Sequence, residues 1–434
     1  MEWQPLGDFR MRNRGPDMTV VDFGVLTLVF RYEERVLRMR FECTDPEATG
    51  FRIRLGAKPG ERILGGGPRS GRIDLKNRDL HLCAQSEAIP SFMSDEGVWM
   101  KVAAPADLKI RFSASHWALE AGGFPESVSL GFPRGMGEAF EGLSAEAGVR
   151  HAPPARLFSG VILDCRGLGA DASAAAEAAA DAGVRVASFL GDPTLPDENS
   201  RAREVGGTVG NVRTEVARLD DFPGDFARSL CGAFPGTGVF PGAKVPRILS
   251  HSFSASGYGY LAVDDFPGTG AGFERWQRNL EAAAFSPLLV VCAPGKGIAA
   301  AAAREGLARM ARVSEHYAAL ESYHRECARA WTDEGLPPYR SSAVHYPDET
   351  RLWAQQDQYL YGRDILVAPA IEPGKRARTL FLPRDRWIHL WSSRVFGPGE
   401  TTVDAPPGRP AVFYRESSPF ASQFDALRRQ AARS

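Results

Sequence analysis

Residues 159–193, SGVILDCRGLGADASAAAEAAADAGVRVASFLGDP, set a short apolar run, an Ala-rich segment and a second apolar run in line. Val161–Leu163 is continuously apolar and ends on Asp164, which reads as a strand buried on both faces. DASAAAEAAADAG is built of strong helix formers and stops at Gly183. Val184–Leu190 is the second strand, closed by Asp192 and Pro193, a turn-initiating pair. Strand, helix and strand at this spacing predict parallel βα units. TEVARLDD (214–221) with DFARSLCGAF, PRILSHS (246–252), GYGYLAVDD (257–265) with GFERWQRNLEAAAF, and SPLLVVCAP (286–294) repeat the theme. The expectation is a shortened (β/α) barrel of TIM type or an open parallel sheet.

Outward from this core the pattern changes in both directions. Residues 18–135 alternate apolar with polar residues in short stretches such as MTVVDFGVLTLVFRYEERVLRMRFEC and DLKIRFSASHWALEA, the period of half-buried strands in an antiparallel sandwich. GMGEAFEGLSAEAG reads as a short amphipathic helix, and HAPPARLF as a connector. Residues 298–332 are a long run of helix formers with Leu307, Met310, Ala311, Tyr317 and Leu320 at helical spacing. Beyond Pro337 strand-like stretches return, and the tail SQFDALRRQAARS reads as a terminal helix that frays. The expected organisation is an α/β multidomain chain: an N-terminal β-sandwich over 1–135, a truncated barrel over 136–340, and a C-terminal β-sandwich with a terminal helix over 341–434.

The bulk numbers exclude several classes. With 434 residues the chain exceeds one ordinary domain, and its formal net charge of -1 removes the electrostatic case for nucleic acid or an anionic membrane. The 6 cysteines are scattered without a CxxC, so neither zinc nor any other metal or cofactor is expected. The first 20 residues hold no apolar core of signal-peptide length, and no window reaches the ~20 apolar residues of a membrane span. A cytoplasmic location follows as an expectation. Gly65, Gly66 and Gly67 fall between sandwich strands, and PGKG (294–297) lacks the rest of a Walker motif, so neither is a phosphate loop.

The stretch QYLYGRDILVAPAIEPGKRARTLFLPRDRWIHLWSSRVFGPGETTVDAPPGRPAVFYR (358–415) closely resembles the end of glycoside hydrolase family 31 enzymes, nearest to the bacterial sulfoquinovosidase branch. ERILGGGPRSGRIDLKNRDLHLCAQ (61–85), PSFMSDEGVWMKV (90–102) and GFERWQRNLEAAAFSPLLVV (272–291) are similar to the family's N-terminal sandwich and late barrel segments. The resemblance implies a retaining α-glycosidase, which needs two carboxyl groups ~5–5.5 Å apart. Where the family places its nucleophile, this sequence has PGTGVFPGAK (235–244), without a carboxylate. Where the family places its acid/base, SFSASGYGY runs through without one. Pro68 stands for a family Glu, VCAPGKG (291–297) for the segment with a pocket His, and DDFPG (264–268) for a glycine-bearing turn. These departures imply a degenerate homologue with a retained scaffold and a sugar-binding or partner-binding role.

Candidate residues follow from the strand ends. Asp264 and Asp265 are the weak catalytic candidates, with Asp264 also a sugar contact; the alternative is a turn that caps the next helix. Asp164, Asp192, Arg166 and His251 complete the substrate-binding candidates, against loop and core roles. Asp220 and Asp221 read as caps, Arg247 as a cavity cation, and Arg275 and Trp276 as barrel packing. The rival reading is an active α-glycosidase recruiting Asp164, Asp192, Asp264 or Asp265; the deflationary one is a decaying gene. Partner expectations are a carbohydrate ligand and a homo-oligomer or association with a full-length paralogue, since an unclosed barrel exposes sheet edges.

Overall fold

The computed structural model describes residues 6–66, 74–83, 90–103, 107–147, 152–164, 171–190, 204–209, 212–218, 271–292, 299–355, 357–370 and 372–432. They fall into two compact units, one reaching residue 148 and one containing the described residues from 152 onward. No helix among the described residues is long and apolar enough to cross a membrane.

The first unit is a sandwich. Its eight-stranded sheet runs Arg10–Asn13, Met18–Asp22, Leu26–Glu33, Val36–Cys43, Ser127–Gly131, Trp99–Ala103, Ser91–Ser94 and Ile63–Gly65. The four-stranded sheet runs Phe51–Gly56, His116–Ala121, Asp107–Phe112 and Asp79–Cys83. Alternation places Met39, Phe92, Met100 and Val128 of one sheet in a common core with Leu108, Ile110, Phe112 and Leu119 of the other. Helix α1 (Met136–Ala147) closes this unit against Trp99–Ala103 and Ser127–Gly131. The Trp99 indole lies over Gly131, its cross-strand partner, and over Gly142 of α1, where a Cβ would stand 2.9 Å from Trp99 Nε1.

The second unit begins with the quoted stretch. Val161–Asp164 pairs in parallel with Val186–Leu190 on one side and with Val290–Cys292 on the other. Helix α2 (Ala172–Asp181) makes the crossover, burying Ala172, Ala175, Ala176 and Ala179. The expected parallel strand near 214–221 is instead the second arm of an antiparallel hairpin, Glu204–Val209 with Val212–Arg218, added to the sheet edge beside Leu190. Val209 faces Val212 across two residues, Gly210 and Asn211, a spacing that favours a hairpin over a crossover. The described strands thus form an open, mixed five-stranded sheet; the barrel strands expected over 246–252 and 257–265 lie outside the described residues.

The helix run expected over 298–332 is two helices, α4 (Ala300–Ala319) and α5 (Glu321–Glu334), following α3 (Ala271–Ala283). The break falls at Leu320 without Gly or Pro. The Tyr317 carbonyl accepts from Leu320 N (3.0 Å) and from His324 Nε2 (2.9 Å), so a side chain takes the place of a continuing helical bond. α5 ends at Gly335, left-handed at φ 66.

The C-terminal sheet runs Tyr339–Arg340, Tyr359–Tyr361, Ile365–Ala368, Ala411–Arg415, Trp387–His389 and Val395–Phe396. Its central strands, Tyr359–Tyr361, Ile365–Ala368 and Ala411–Arg415, are buried on both faces. Leu360, Leu366 and Phe413 pack with Leu380, Leu382 and Val403, which belong to the covering pair Ala377–Leu382 and Gly399–Asp404. Tyr359, Tyr361, Val367 and Val412 point the other way, into one core with Val161, Leu163, Met310 and Tyr317. That shared core is why the parallel strands and the C-terminal sheet form one compact unit. The tail is docked rather than frayed: helix α6 (Ala421–Ala431) buries Phe424 and Leu427, and Asp425 accepts from the Tyr414 hydroxyl at 3.0 Å.

Candidate functional site

Parallel strands end together at one edge, where side chains reach beyond the last ladder bond and loops depart; ligands of α/β folds bind there. In this sheet that edge is Asp164, in register with Leu190 on one neighbour and Cys292 on the other. Asp164 is 5% exposed. It is the one carboxylate at these three strand ends among the described residues.

The strand that carries Cys292 is held from the C-terminal sheet and from α4. In the connection from α3, Ser286 Oγ donates to the Ala283 carbonyl (2.6 Å). The Tyr359 hydroxyl donates to the Ala282 carbonyl (3.0 Å), and the Tyr317 hydroxyl to the Pro287 carbonyl (3.0 Å). Three buried hydroxyls therefore bond backbone carbonyls of this connection, the Ala282 carbonyl also accepting from Phe285 N, which fixes Val290–Cys292 against Val161–Asp164.

Helix α3 itself is a structural surprise. Trp276 is buried as expected, but Arg275 is exposed, because one residue along a helix turns the side chain by ~100° away from the core. From Trp276 onward the helix is buried all round, and this burial takes in Gln277, Arg278, Asn279 and Glu281. Arg278 pairs with Glu274 (2.9 Å) and donates to the Ala405 (3.2 Å) and Lys375 carbonyls. Glu281 accepts from Gln277 Nε2 (2.7 Å) and Gly408 N (2.6 Å), and burial still pushes its carboxyl up to about 7. Nearby His316 is driven down to about 4 by burial and by Arg312. Sequence reasoning missed this row because RWQRNLE reads as a solvated face. The signal was the absence of any long apolar stripe in a segment flanked by buried strands.

Of the sequence-derived candidates, the structure places Asp164 at the strand-end edge. Arg166, Asp192, His251, Asp264 and Asp265 lie outside the described residues, as do Pro68, Asp220, Asp221 and Arg247. A second buried cluster went unread in the sequence. His324, held down to about 3 by burial, bonds Tyr361 through Nδ1, and the Tyr323 hydroxyl donates to the Tyr361 carbonyl (2.7 Å) while accepting from Asp364 N (2.8 Å). Both clusters tie helices to the C-terminal sheet. A single carboxylate at the strand ends can accept a hydroxyl hydrogen, whereas acid/base cleavage of a glycoside takes two carboxyl groups.

This architecture, a sandwich followed by a mixed sheet that shares its core with a C-terminal sheet, recurs in proteins to which the chain is similar. Residues 335–418 match the glycosyl hydrolase family 31 C-terminal domain. The chain is 42% identical over 124 residues to the sulfoquinovosidase of Escherichia coli (strain K12), a match covering 29% of this chain and 18% of that protein. It is 29% identical over 168 residues to an isomaltosyltransferase of Sporosarcina globispora, covering 35% of this chain and 15% of that protein. In three dimensions it resembles a family 31 sulfoquinovosidase from E. rectale bound to an aza-sugar inhibitor, with TM-score 0.75, 17% identity, and coverage of 98% of this chain and 91% of that chain. An α-xylosidase from a soil metagenome follows at TM-score 0.61 and 14% identity, covering 98% and 93%. Residues 335–418 are a family 31 C-terminal domain, and the fold of the chain as a whole is that of the family 31 structures it resembles. Its sequence matches to the two curated sulfoquinovosidases span under a fifth of their length, 18% and 19%.

Proposed function

We propose that this family 31 chain is a non-hydrolytic homologue that holds a carbohydrate at the carboxyl ends of its parallel strands without cleaving it. The observation that carries the reading is the composition of that edge: Asp164 stands between Leu190 and Cys292, so among the described residues one carboxylate is present where hydrolysis takes a pair. The sequence adds that PGTGVFPGAK (235–244) and SFSASGYGY (252–260) contain no acid. Asp164, with Asp192, Asp264, Arg166 and His251, would supply sugar contacts. The parallel pairing of Val290–Cys292 with Val161–Asp164 joins the last described strand of this region to the first, as a shortened barrel of TIM type requires. Cys43 and Cys327 are free thiols, which suits a reducing, cytoplasmic setting. Association with a second copy or with a full-length paralogue would cover the open sheet edge.

The test is turnover of aryl α-glucoside and aryl α-sulfoquinovoside by the purified chain, alongside thermal shift with the parent sugars. The reading expects a saturable thermal shift and no turnover above buffer. Turnover abolished by Asp264→Asn, Asp265→Asn or Asp164→Asn would establish an active glycosidase with relocated carboxylates instead.

A further inference from the structure

Away from the strand-end edge, helix α5, the strand Tyr339–Arg340 and the turn Tyr361–Asp364 enclose a cavity of about 510 Å³. Four guanidiniums and three carboxylates line it, and most of these are already committed. Arg415 holds Asp385 (Nε–Oδ2 2.6 Å) and Asp364 (3.6 Å), and Asp364 takes a further hydrogen bond from Ser418. Arg329 holds Glu326 (2.7 Å) and Asp333 (3.3 Å). Glu334 lies at an exposed position on the last turn of α5.

Two side chains in the wall keep unused donors. Arg340 is 1% exposed, yet its Nε and Nη1 make no hydrogen bond. His345 is half-buried in the same wall, and its Nε2, itself shut off from solvent, has no partner. Burial and the nearby Arg340, Arg363 and Arg415 hold the His345 imidazole well below its usual titration range, so it is a neutral donor or acceptor rather than a cation. Arg363, with an exposed side chain, stands on the same cavity. Asp364 and Glu334 act on the Arg340 charge from the same cavity, but burial still outweighs them, and a guanidinium taken out of water with two donors unmet is costly. A planar fork beside open space is the geometry that recognises phosphate or sulfate.

We propose that this cavity is a binding site for a small oxyanion of the phosphate or sulfate type, held by Arg340 and His345 inside and by Arg363 at the mouth. The space exceeds what one free oxyanion fills, so the shared chemistry extends to the phosphate group of a small phosphorylated metabolite. The site is separate from the strand-end edge and does not depend on sugar binding there.

The experiment uses the full chain and titrates sodium phosphate, sodium sulfate and glycerol phosphate against sodium chloride at matched ionic strength, by thermal shift and calorimetry. Phosphate and sulfate raise stability non-specifically by exclusion from protein surfaces, so saturation and sensitivity to substitution decide the matter. Expected is a saturable response to oxyanions and none to chloride, weakened about tenfold in Arg363→Gln and in His345→Leu, and abolished in Arg340→Met. Glycerol phosphate binding more tightly than inorganic phosphate would identify a phosphorylated metabolite as the ligand; the reverse would identify the free ion. Should Arg340→Met not fold, Arg363→Gln carries the test, since its exposed side chain is not needed for folding. A rise that never saturates, or one unchanged in Arg363→Gln and His345→Leu, overturns the proposal.

Discussion

The turn at Tyr361–Asp364 and the strand end at Asp164 both lead a buried strand into charged residues, but they are built differently. At the turn every group is specified by something else. Gly362 sits at φ +60, and a Cβ there would strike the Tyr323 hydroxyl and approach Cys327 Sγ to 2.6 Å. That same hydroxyl bonds the backbone on both sides of the glycine, at Tyr361 O and Asp364 N. At the strand end Asp164 has Leu190 and Cys292 across the ladder. The comparison teaches where a scaffold resists change: the turn falls inside the 335–418 family match, and its polar groups are wired into the packing. The sharpest way to break this contrast is Gly362→Ala. Left-handed strain and overpacking together should cost about 3–5 kcal/mol, read as a lowered denaturation midpoint. A loss under about 1 kcal/mol would mean the turn is not over-determined.

The buried titratable groups sharpen the same contrast through pH. His316, His324 and His389 are held by burial at about 4, about 3 and about 4. Their folded values lie below the unfolded one, so the unfolded chain binds more protons below pH ~6.5, and stability falls as pH drops. Between pH 7 and 5 each contributes a loss of about 2 kcal/mol. Glu281 runs the other way. Its folded value of about 7 lies above the unfolded one, so the folded chain binds more protons between the two values. Stability from this group is fully present below the unfolded carboxyl range and is lost as pH rises towards 7. Glu281→Gln keeps a carbonyl oxygen for Gln277 and Gly408 but cannot titrate. It should therefore be more stable than the parent above pH 7, and its melting midpoint should fall more steeply on acidification, by about 2–3 kcal/mol between pH 7 and 5. Parallel curves for the two proteins would show that Glu281 is charged in the fold.

How much of this was legible in the residues depends on whether a neighbour far along the chain decides it. The sandwich strands were readable because alternation is local, and so was Val161–Asp164, α2, Val186–Leu190. Period two does not distinguish a parallel strand from a hairpin arm, which is how Val212–Arg218 was misread despite the Gly-Asn pair before it. The break at Leu320 has no Gly or Pro and rests on His324 reaching the Tyr317 carbonyl, a contact that composition does not reveal. Arg340 and His345 each look like an ordinary polar residue in GLPPYRSSAVHYPDET; only the fold brings both to one cavity wall. Of the candidate sugar contacts, Asp164 was legible because a buried strand ending on an acid is a local pattern. Asp192, Asp264, Asp265, Arg166 and His251 fall outside the described residues.

The smallest expected effect falls on the strand end, and for that reason it separates ligand contact from scaffold. Asp164→Asn keeps the shape and one acceptor while removing the charge. If Asp164 serves a ligand, the unliganded denaturation midpoint moves by no more than about 1 kcal/mol, within the ordinary range for point substitutions. The glucose-induced thermal shift then needs about tenfold more sugar, the loss expected for one charged hydrogen bond. If Asp164 belongs to the scaffold instead, the order reverses: the unliganded midpoint drops by more than about 2 kcal/mol, as for a broken buried network, and any sugar response keeps its concentration dependence. The two outcomes move different measurements. The strand end would then prove as over-determined as the turn at Gly362, and sugar binding would have to rest on residues other than this carboxylate.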